Sequence, residues 1–211
     1  SSRAYAWTGV AQLGVFVALL ALSAFLLDRA YRWIVAADGY AETYQRAIVF
    51  AVGAFVGYCL LPIAAKWLLI GRWTTRSIRL WSLDYLRFWT VKLLIRTSPL
   101  VFFVGSPLYN VFLRALGAKI GHSVLILSRI VPVATDLLTI GDGTVIRRDT
   151  SFTAYRVVAG AVQTGPVGIG RYAVVGEGSV LEVGTTMGDG AQLGNASALH
   201  TGEAVPGGQR W

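Results

Sequence analysis

Aliphatic residues recur at a strict spacing of six near the C-terminal end of the chain, and this repeat constrains the fold more than any other feature. The repeat positions are Ile169, Val175, Leu181, Met187, Leu193, Leu199 and Val205. Four residues after each of the first five stands a small side chain, Ala, Ser or Thr. The same phase occurs earlier, at Ile120, Ile126, Ile140, Ile146 and Phe152. A fixed short period is typical of a repeat architecture, in which each unit packs against its neighbours.

A six-residue unit with one inward aliphatic and one small inward residue forms one flat face of a triangular prism. Three such units close a coil, and coils stack as parallel strands about 4.8 Å apart. The pattern resembles that of the hexapeptide-repeat, left-handed parallel β-helix, an all-β fold used mostly by acyltransferases that act on thioesters, often as trimers. The sequence predicts about four coils, at 120–137, 140–157, 169–186 and 187–204. The register slips by two before Ile140 and by five before Ile169, which predicts a loop over 159–168.

The charge is unevenly divided along the chain. Residues 1–119 contain 13 Lys and Arg against 4 Asp and Glu, whereas residues 120–211 contain 6 against 7, so that +9 and −1 give the net charge of +8. Only 14% of the residues are charged and 55% are hydrophobic, against about 25% charged in ordinary soluble domains. One Cys and two His exclude a disulfide scaffold and a zinc knuckle, and no metal is expected.

Two uncharged stretches in the first part predict a transmembrane hairpin. Residues 7–27 lack charge and would reach about 31 Å as a helix, which matches the roughly 30 Å core of a bilayer. A signal peptide would have a shorter apolar core and a cleavage site. The second stretch, residues 47–65, ends at Lys66 and contains Gly53 and Gly57, a spacing that permits close helix packing or simply reflects membrane composition.

Basic residues follow the second stretch and predict the orientation. Lys66, Arg72, Arg76 and Arg79 precede the next acidic residue, Asp84, so the positive-inside rule places the segment after residue 65 in the cytoplasm. The expected organisation is a hairpin at 1–71, interfacial and linking helices at 72–119, and a β-helix at 120–211 that is truncated at its C-terminal end. We therefore predict a multi-pass membrane protein with the β-helix on the cytoplasmic side.

Residues 72–96 alternate basic and aromatic side chains, and we predict an interfacial helix over them. Trp81, Tyr85 and Trp89 would face the lipid acyl chains, and the arginines would face anionic head groups. Such interleaving also occurs in nucleic-acid-binding proteins, but this segment directly follows a predicted membrane span. The bilayer is therefore the expected partner, and no nucleic acid is expected. A further helix is predicted from Pro107 to Leu116, with Ser106 as N-cap and Gly117 after its end.

Several longer stretches carry a more specific resemblance. They are SPLYNVFLRALGAKIGHSV at 106–124, TDLLTIGDG at 135–143, TGPVGIG at 164–170 and GEAVPGGQRW at 202–211. Together with the apolar helices they resemble the membrane-embedded C-terminal region of nonribosomal-peptide-synthetase-like proteins of the ε-poly-lysine synthetase type. The resemblance implies one hexapeptide unit among tandem neighbours that form a trimer or pseudo-trimer. It also implies adenylation and carrier domains in the same polypeptide, and amide-bond formation from aminoacyl groups on a carrier phosphopantetheine.

One departure from that family leaves alternatives open. Other units of such proteins carry a His in the stretch that corresponds to 151–156, where this chain has Ser-Phe-Thr-Ala-Tyr-Arg. The unit is therefore either an acyltransferase or a non-catalytic scaffold that supports a sister domain. A third interpretation is a membrane-bound O-acetyltransferase that uses acetyl-CoA. No cofactor is expected to be bound directly in the first two cases.

Candidate catalytic residues follow from the coil length. His200 and Glu182 are 18 residues apart, one full coil, and each follows a repeat aliphatic. They should stack on one edge, where the carboxylate would polarise the imidazole for general-base catalysis. A surface His–Glu pair without function is the alternative, and His122, in the first coil, is a weaker candidate base. Asn195 should stack over Glu177 and is a candidate substrate-binding residue or a turn hydrogen bond. The family resemblance adds Glu203 as catalytic and Asp136 and Arg156 as substrate-binding.

Apolar residues on the outer faces of the prism predict contact with neighbouring hexapeptide units. These residues are Tyr172, Val174, Val180 and Val183. Trimeric relatives hide such faces against one another, so the reactive groove is expected between two prisms.

Overall fold

A computed structural model describes residues 2–211, so residue 1 of the predicted hairpin lies outside the described residues. Four α-helices are present: α1 (Ser2–Val35), α2 (Tyr40–Leu69), α3 (Leu83–Thr97) and α4 (Pro107–Ala115), with a 3₁₀ turn at Pro99–Phe103 before α4 and another at Thr135–Leu137. The strands are β1 (Ser77–Arg79), β2 (Lys119–Ile120), β3 (Leu125–Ile126), β4 (Leu138–Ile140), β5 (Val145–Ile146), β6 (Tyr155–Val158), β7 (Ala161–Thr164), β8 (Val167–Ile169), β9 (Val174–Val175), β10 (Val180–Leu181), β11 (Thr185–Met187), β12 (Gln192–Leu193), β13 (Ala198–Leu199) and β14 (Ala204–Val205).

The two N-terminal helices are long and apolar enough to cross a membrane. At 1.5 Å per residue, α1 and α2 reach about 51 and 45 Å, beyond the roughly 30 Å of a bilayer core. Most of their apolar side chains are exposed, among them Leu20, Phe25 and Val52. This is the arrangement expected of helices that face lipid, because a soluble protein would bury such surfaces.

The helix ends that lie next to the β-helix are the start of α1 and the end of α2. The ring of Tyr5 packs edge-on against Trp81, with centroids 4.8 Å apart. Trp67 Nε1 donates a hydrogen bond to the carbonyl oxygen of Ala115 at the end of α4, at 2.9 Å. The turn at residues 36–39 therefore lies at the distal end of the hairpin, and Gly39 adopts a left-handed φ of 108° there.

The single helix predicted over 72–96 is wrong in its first half. Residues 77–79 form β1, where buried Ile78 lies between exposed Ser77 and Arg79, and only the second half is helical as α3. Ser82 ends the extended segment and starts the helix, because its hydroxyl accepts a hydrogen bond from the N–H of Tyr85. The two-residue alternation around Ile78 is a strand signal, and the regular spacing of arginines obscured it.

The aromatic face of α3 is also placed differently from the prediction. Trp81, Tyr85 and Trp89 line a groove of about 550 Å³ whose other wall is α1, from Tyr5 to Leu13. Trp81 therefore contacts α1 through Tyr5, and Tyr85 and Trp89 line the groove toward α1, where the prediction placed all three against lipid. The helix predicted at 107–116 is present as α4, with Ser106 at its N-cap, Pro107 at its first turn and Gly117 at φ 107° after its end.

The rest of the chain is the predicted parallel β-helix of hexapeptide repeats. One face has the strand order β14-β11-β8-β4-β2, a second has β12-β9-β5-β3, and the third pairs β10 with β13. In the later coils partners lie 18 residues apart, as in Ile169 with Met187. In the first coils Ile120 pairs with Ile140, which confirms the predicted slip of two. Five strands on one face make about five turns, one more than predicted, because β14 begins another coil.

The predicted loop at 159–168 is a β-hairpin that begins earlier. Strands β6 and β7 pair antiparallel, with Tyr155 opposite Thr164, and β1 adds a third strand at the edge of β7. Ile140 pairs with Ile169 in the next coil, so the chain leaves the β-helix after Phe152 and returns by Val167. Residues 155–157 therefore lie outside the second coil, to which they were assigned.

One buried core joins the helices to the β-helix. It runs from Trp73 and Phe88 through Phe112 and Leu113 to the repeat aliphatics as far as Val205. Val183, predicted on an outer face, is buried at 7% exposure, whereas Tyr172 is 70% and Val180 39% exposed. Val183 is covered because it lies against Gly165, where the chain returns from the hairpin.

Candidate functional site

Four of the predicted site residues meet at one edge of the β-helix. Leu181 of β10 pairs with Leu199 of β13, so the next residues, Glu182 and His200, occupy the same corner of adjacent coils as predicted. Glu203 lies in the turn that follows His200, and Arg156 reaches the same corner from strand β6. The stacking follows from the 18-residue coil, whereas the position of Arg156 depends on the inserted hairpin.

The two carboxylates hold the backbone of this corner. Glu182 Oε2 accepts hydrogen bonds from the N–H of Thr201 at 3.0 Å and from its hydroxyl at 2.7 Å. Glu203 Oε2 accepts a hydrogen bond from the N–H of His200 at 2.8 Å. The predicted hydrogen bond between Glu182 and the imidazole is not formed, and Glu182 Oε2 is instead bonded to Thr201. The His200 side chain is exposed at the coil edge, with a fixed backbone and an accessible ring.

Arg156 connects the hairpin to this corner. Its Nε donates a hydrogen bond to Gln163 Oε1 at 3.0 Å, and its terminal nitrogen donates to the hydroxyl of Thr201. The same nitrogen lies 3.7 Å from Glu182 Oε2, with each side chain about one third exposed. The hydroxyl of Thr201 therefore accepts from a guanidinium and donates to a carboxylate, so its orientation is fixed by both neighbours.

These contacts also set the ionisation of Glu182. The hydroxyl and then the N–H of Thr201 lower the pKa of its carboxyl, and the nearby His200 and Arg156 lower it further. A carboxylate stabilised by donors and positive neighbours remains ionised at neutral pH. The corner therefore combines a fixed anion, a guanidinium and an exposed imidazole, which come from two adjacent coils and the inserted hairpin.

The other two predicted substrate-binding residues lie elsewhere. Asn195 Oδ1 accepts a hydrogen bond from the N–H of Glu177 at 2.9 Å, which is the turn hydrogen bond considered as the alternative. Asn195 also lines a shallow groove of about 270 Å³ with Arg147, Arg210 and Trp211, and His200 is not part of that lining.

Asp136 belongs to the junction between α2 and the β-helix. Its Oδ2 lies 2.8 Å from Lys66 Nζ, a side chain with no solvent exposure, and accepts the N–H of Trp73 at 2.9 Å. Gly117 passes so close that a Cβ there would collide with the Asp136 carboxylate. This environment is that of a buried structural ion pair, remote in sequence and in contacts from the His200 corner.

His122, the weaker candidate base, projects into solvent from the first coil. Its side chain is 97% exposed, and its Nδ1 lies 3.5 Å from Asp142 Oδ1, which also accepts the N–H of His122. That N–H chiefly lowers the pKa of Asp142. The two histidines of the chain thus share an exposed ring and a backbone N–H that is held by a carboxylate, but His200 also has a second carboxylate in its corner, that of Glu182.

Sequence reasoning missed Thr201, Gln163 and Lys66. Thr201 follows His200 directly, and the 18-residue coil also places it above Val183, so register alone gave no reason to choose it. Gln163 is identified only by the hairpin register, in which it faces Arg156. Over residues 2–211 no cluster of three or more His, Cys, Asp or Glu side chains is suited to hold a metal ion.

The strand pairing and the two apolar helices together define a class of protein: a hexapeptide-repeat β-helix attached to helices long enough to cross a membrane. Over its whole length the chain is similar to the delta-poly-L-ornithine synthetase of Acinetobacter baumannii (strain AB307-0294), with 29% identity over 216 residues that cover 100% of this chain and 16% of that protein. The resemblance to poly-amino-acid synthetases is thereby confirmed. The chain spans about one sixth of that relative. No family model matches the chain.

Two of the solved structures that are similar to this chain are acetyltransferases by name. A maltose O-acetyltransferase from Clostridium difficile 630 has a TM-score of 0.39 at 14% identity and covers 51% of this chain and 74% of its own. Serine acetyltransferase isoform 3 from Entamoeba histolytica has a TM-score of 0.30 at 12% identity and covers 80% and 60%. The fold assignment rests on the strand pairing of this chain and not on these structures.

Proposed function

We propose that this chain is the acyl-transfer unit of a membrane-bound poly-amino-acid synthetase. In this proposal it joins an aminoacyl group, carried as a thioester on the phosphopantetheine of a carrier domain, to an amine. The observation that carries the proposal is the corner at which His200 stands exposed beside Glu182, Arg156 and Glu203. The similarity to a poly-amino-acid synthetase over the whole chain supports it.

The chemistry requires one base at a fixed position. The attacking amine forms a bond to the thioester carbonyl carbon, the imidazole of His200 takes the proton that the amine loses, and the proton passes to the departing thiolate as the C–S bond breaks. General-base catalysis by a placed histidine contributes typically 10²–10⁴-fold. The hydrogen bond from the backbone N–H of His200 to the Glu203 carboxylate holds the base in position. Ionised Glu182 favours the imidazolium that forms during the attack.

The setting of the unit follows from its helices. We place α1 and α2 across a bacterial cytoplasmic membrane, with the β-helix on the cytoplasmic side, where adenylation and carrier domains of the same polypeptide supply the thioester. Neighbouring hexapeptide units would cover the outer apolar side chains, such as Tyr172 and Val180, and would form the reactive groove together with the His200 corner. The basic flank after α2 supports this orientation.

The test uses the full polypeptide in its membrane. His200→Ala should abolish polymer formation while adenylation and aminoacyl loading of the carrier remain at the wild-type level. His122→Ala is the matched control, because that ring is also exposed and its backbone N–H is also held by a carboxylate. Wild-type polymer yield from His200→Ala would remove this unit from the catalytic class.

A scaffold function is the second candidate, and one contact favours it. Glu182 directs its carboxylate to Thr201 and not to the imidazole, so the acid–histidine pair of a catalytic triad is not formed here. A scaffold unit would lose activity through variants at the junction with the membrane helices and not through His200→Ala. The same assay therefore separates the two candidates.

A further inference from the structure

The segment between α3 and the β-helix has an exposed apolar surface, in addition to those of α1 and α2, that has no role in the proposed acyl transfer. From residue 97 to residue 113 the chain contains no charge. Within it Phe102 is 91% exposed, Leu108 53% and Val111 55%. The last two lie three residues apart on α4 and share its outer face. An apolar patch that faces outward marks a contact with a partner or a membrane.

The inner side of the same segment is firmly attached to the protein. Tyr109, Phe112 and Leu113 of α4 are buried in the core, and Leu100 and Val101 of the 3₁₀ turn pack against that core. The outer side chains are therefore held in a fixed position by a folded support. Their exposure is a property of the folded segment rather than of a loose loop.

The segment packs next to the C-terminal end of the second apolar helix, α2. Trp67 donates its indole hydrogen bond to Ala115 at the end of α4, and Lys66, the first charge after the uncharged stretch of α2, is the residue before it. Ile63, one turn earlier, packs against the same core as Leu100. Exposed apolar side chains also remain on α2 near this end, among them Leu60 and Leu68.

The charges around the segment match an anionic surface. Between Asp84 and Asp136 the sequence contains six basic residues and no acidic one: Arg87, Lys92, Arg96, Arg114, Lys119 and Arg129. Basic residues next to a membrane helix are attracted to anionic head groups. A segment of this length with Pro and Gly-Ser interruptions is too irregular to span a bilayer, but it suits a shallow position at the interface.

We propose that the 3₁₀ turn and α4 form a third membrane contact, which inserts Phe102, Leu108 and Val111 into the leaflet that surrounds the end of α2. The partner is an anionic lipid bilayer. This contact, with Lys66–Asp136 beside it, fixes the height and tilt of the β-helix relative to the membrane. The proposal needs α2 to cross the bilayer but does not depend on acyl transfer.

Spin labels test the proposal in the full polypeptide, reconstituted in vesicles of phosphatidylethanolamine and phosphatidylglycerol. In a background without other cysteines, single cysteines replace Phe102 and Val111, with Leu20→Cys as the lipid reference and Glu177→Cys as the water reference. Power-saturation EPR then measures collisions with oxygen, which concentrates in lipid, and with a water-soluble nickel chelate. We expect the labels at 102 and 111 to collide several-fold more with oxygen than with nickel, as at position 20.

Two results would overturn the proposal. Nickel-dominated collisions at 102 and 111, like those at position 177, would place the segment in water. Low collision rates with both reagents would place it under another protein surface, such as a second hexapeptide unit. The label at position 20 reports separately whether the first apolar helix lies in lipid.

Discussion

At the scale of single residues, the most consequential contact is the ion pair between Lys66 and Asp136. The ammonium has no solvent exposure, and the carboxylate also accepts the N–H of Trp73. A buried pair of this kind adds little over an apolar replacement, but the loss of one partner is costly because the remaining charge stays buried. The pair therefore joins α2 to the β-helix in a single register.

We predict that Asp136→Asn lowers the stability of the protein by about 3–5 kcal/mol. The measurement is thermal unfolding of the full polypeptide in detergent. Asp149→Asn is the control, because Asp149 is exposed and its φ of 54° is one that Asn tolerates. Replacing Lys66 and Asp136 together by Met and Leu should recover most of the loss. Equal melting temperatures for Asp136→Asn and Asp149→Asn would show that the ion pair between Lys66 and Asp136 does not stabilise the protein.

The stability of the His200 corner should depend on pH. Because Thr201 lowers the pKa of Glu182, ionised Glu182 stabilises the His200 corner above the pKa of the unfolded state, and this contribution is lost as the pH falls through the folded-state pKa. Thr201→Val removes the hydroxyl donor, so the loss should begin at a higher pH. Hydrogen exchange of peptides over 199–203, corrected for intrinsic rates, measures it. Glu177→Gln is the control and should leave the pH dependence of exchange unchanged. An unchanged pH dependence in Thr201→Val would contradict the prediction, because it would show that the Thr201 hydroxyl does not stabilise ionised Glu182.

At the scale of elements, the stacking of coils depends on glycines at the corners. A Cβ at Gly176 would collide with the carbonyl oxygen of Gly194 in the next coil, whereas a Cβ at Gly168 would make an ordinary contact of 3.5 Å with Thr186. Neither glycine has a left-handed φ. The two positions therefore differ in backbone approach and not in conformational freedom.

We predict that Gly176→Ala destabilises the β-helix by about 1–3 kcal/mol or more, the range typical of overpacking, because the new Cβ would force the backbone to move. Gly168→Ala should be close to neutral. Chemical denaturation of both variants, followed by circular dichroism, provides the comparison. A Gly168→Ala variant as unstable as Gly176→Ala would contradict the packing described for these coils.

The six-residue repeat made the β-helix predictable from the sequence, whereas the hairpin could not be predicted. A period of six fixes the inward positions from Ile169 to Val205 because each coil must bury the same side chains. The hairpin at 155–164 interrupts that period, and its pairing with β1 joins segments more than 80 residues apart. The stacking of Glu182 and His200 followed from coil length, but the choice of Thr201 as the carboxylate's partner depends on side-chain orientation. The ion pair of Asp136 was not predictable from the sequence, because its partner, Lys66, is 70 positions away.

At the scale of the whole molecule, the contacts of Tyr5 and Trp67 place both helix ends next to the β-helix and the 36–39 turn at the distal end. If both helices span, the turn and the β-helix lie on opposite sides of the membrane. With other cysteines removed, Ala36→Cys should react in whole cells with a membrane-impermeant thiol reagent, and Glu177→Cys should react only after lysis. The reverse pattern would contradict the orientation, and labelling of both in whole cells would contradict the spanning hairpin.

The proposed action of His200 on the aminoacyl thioester can be measured by single-turnover kinetics. The full polypeptide is loaded with aminoacyl thioester, acceptor amine is added, and intact-protein mass spectrometry follows the loss of the aminoacyl group from the carrier. His200→Ala should slow this step by about 10²-fold or more, with loading unchanged and His122→Ala at the wild-type rate. Thioester consumption at the wild-type rate in His200→Ala would contradict the account.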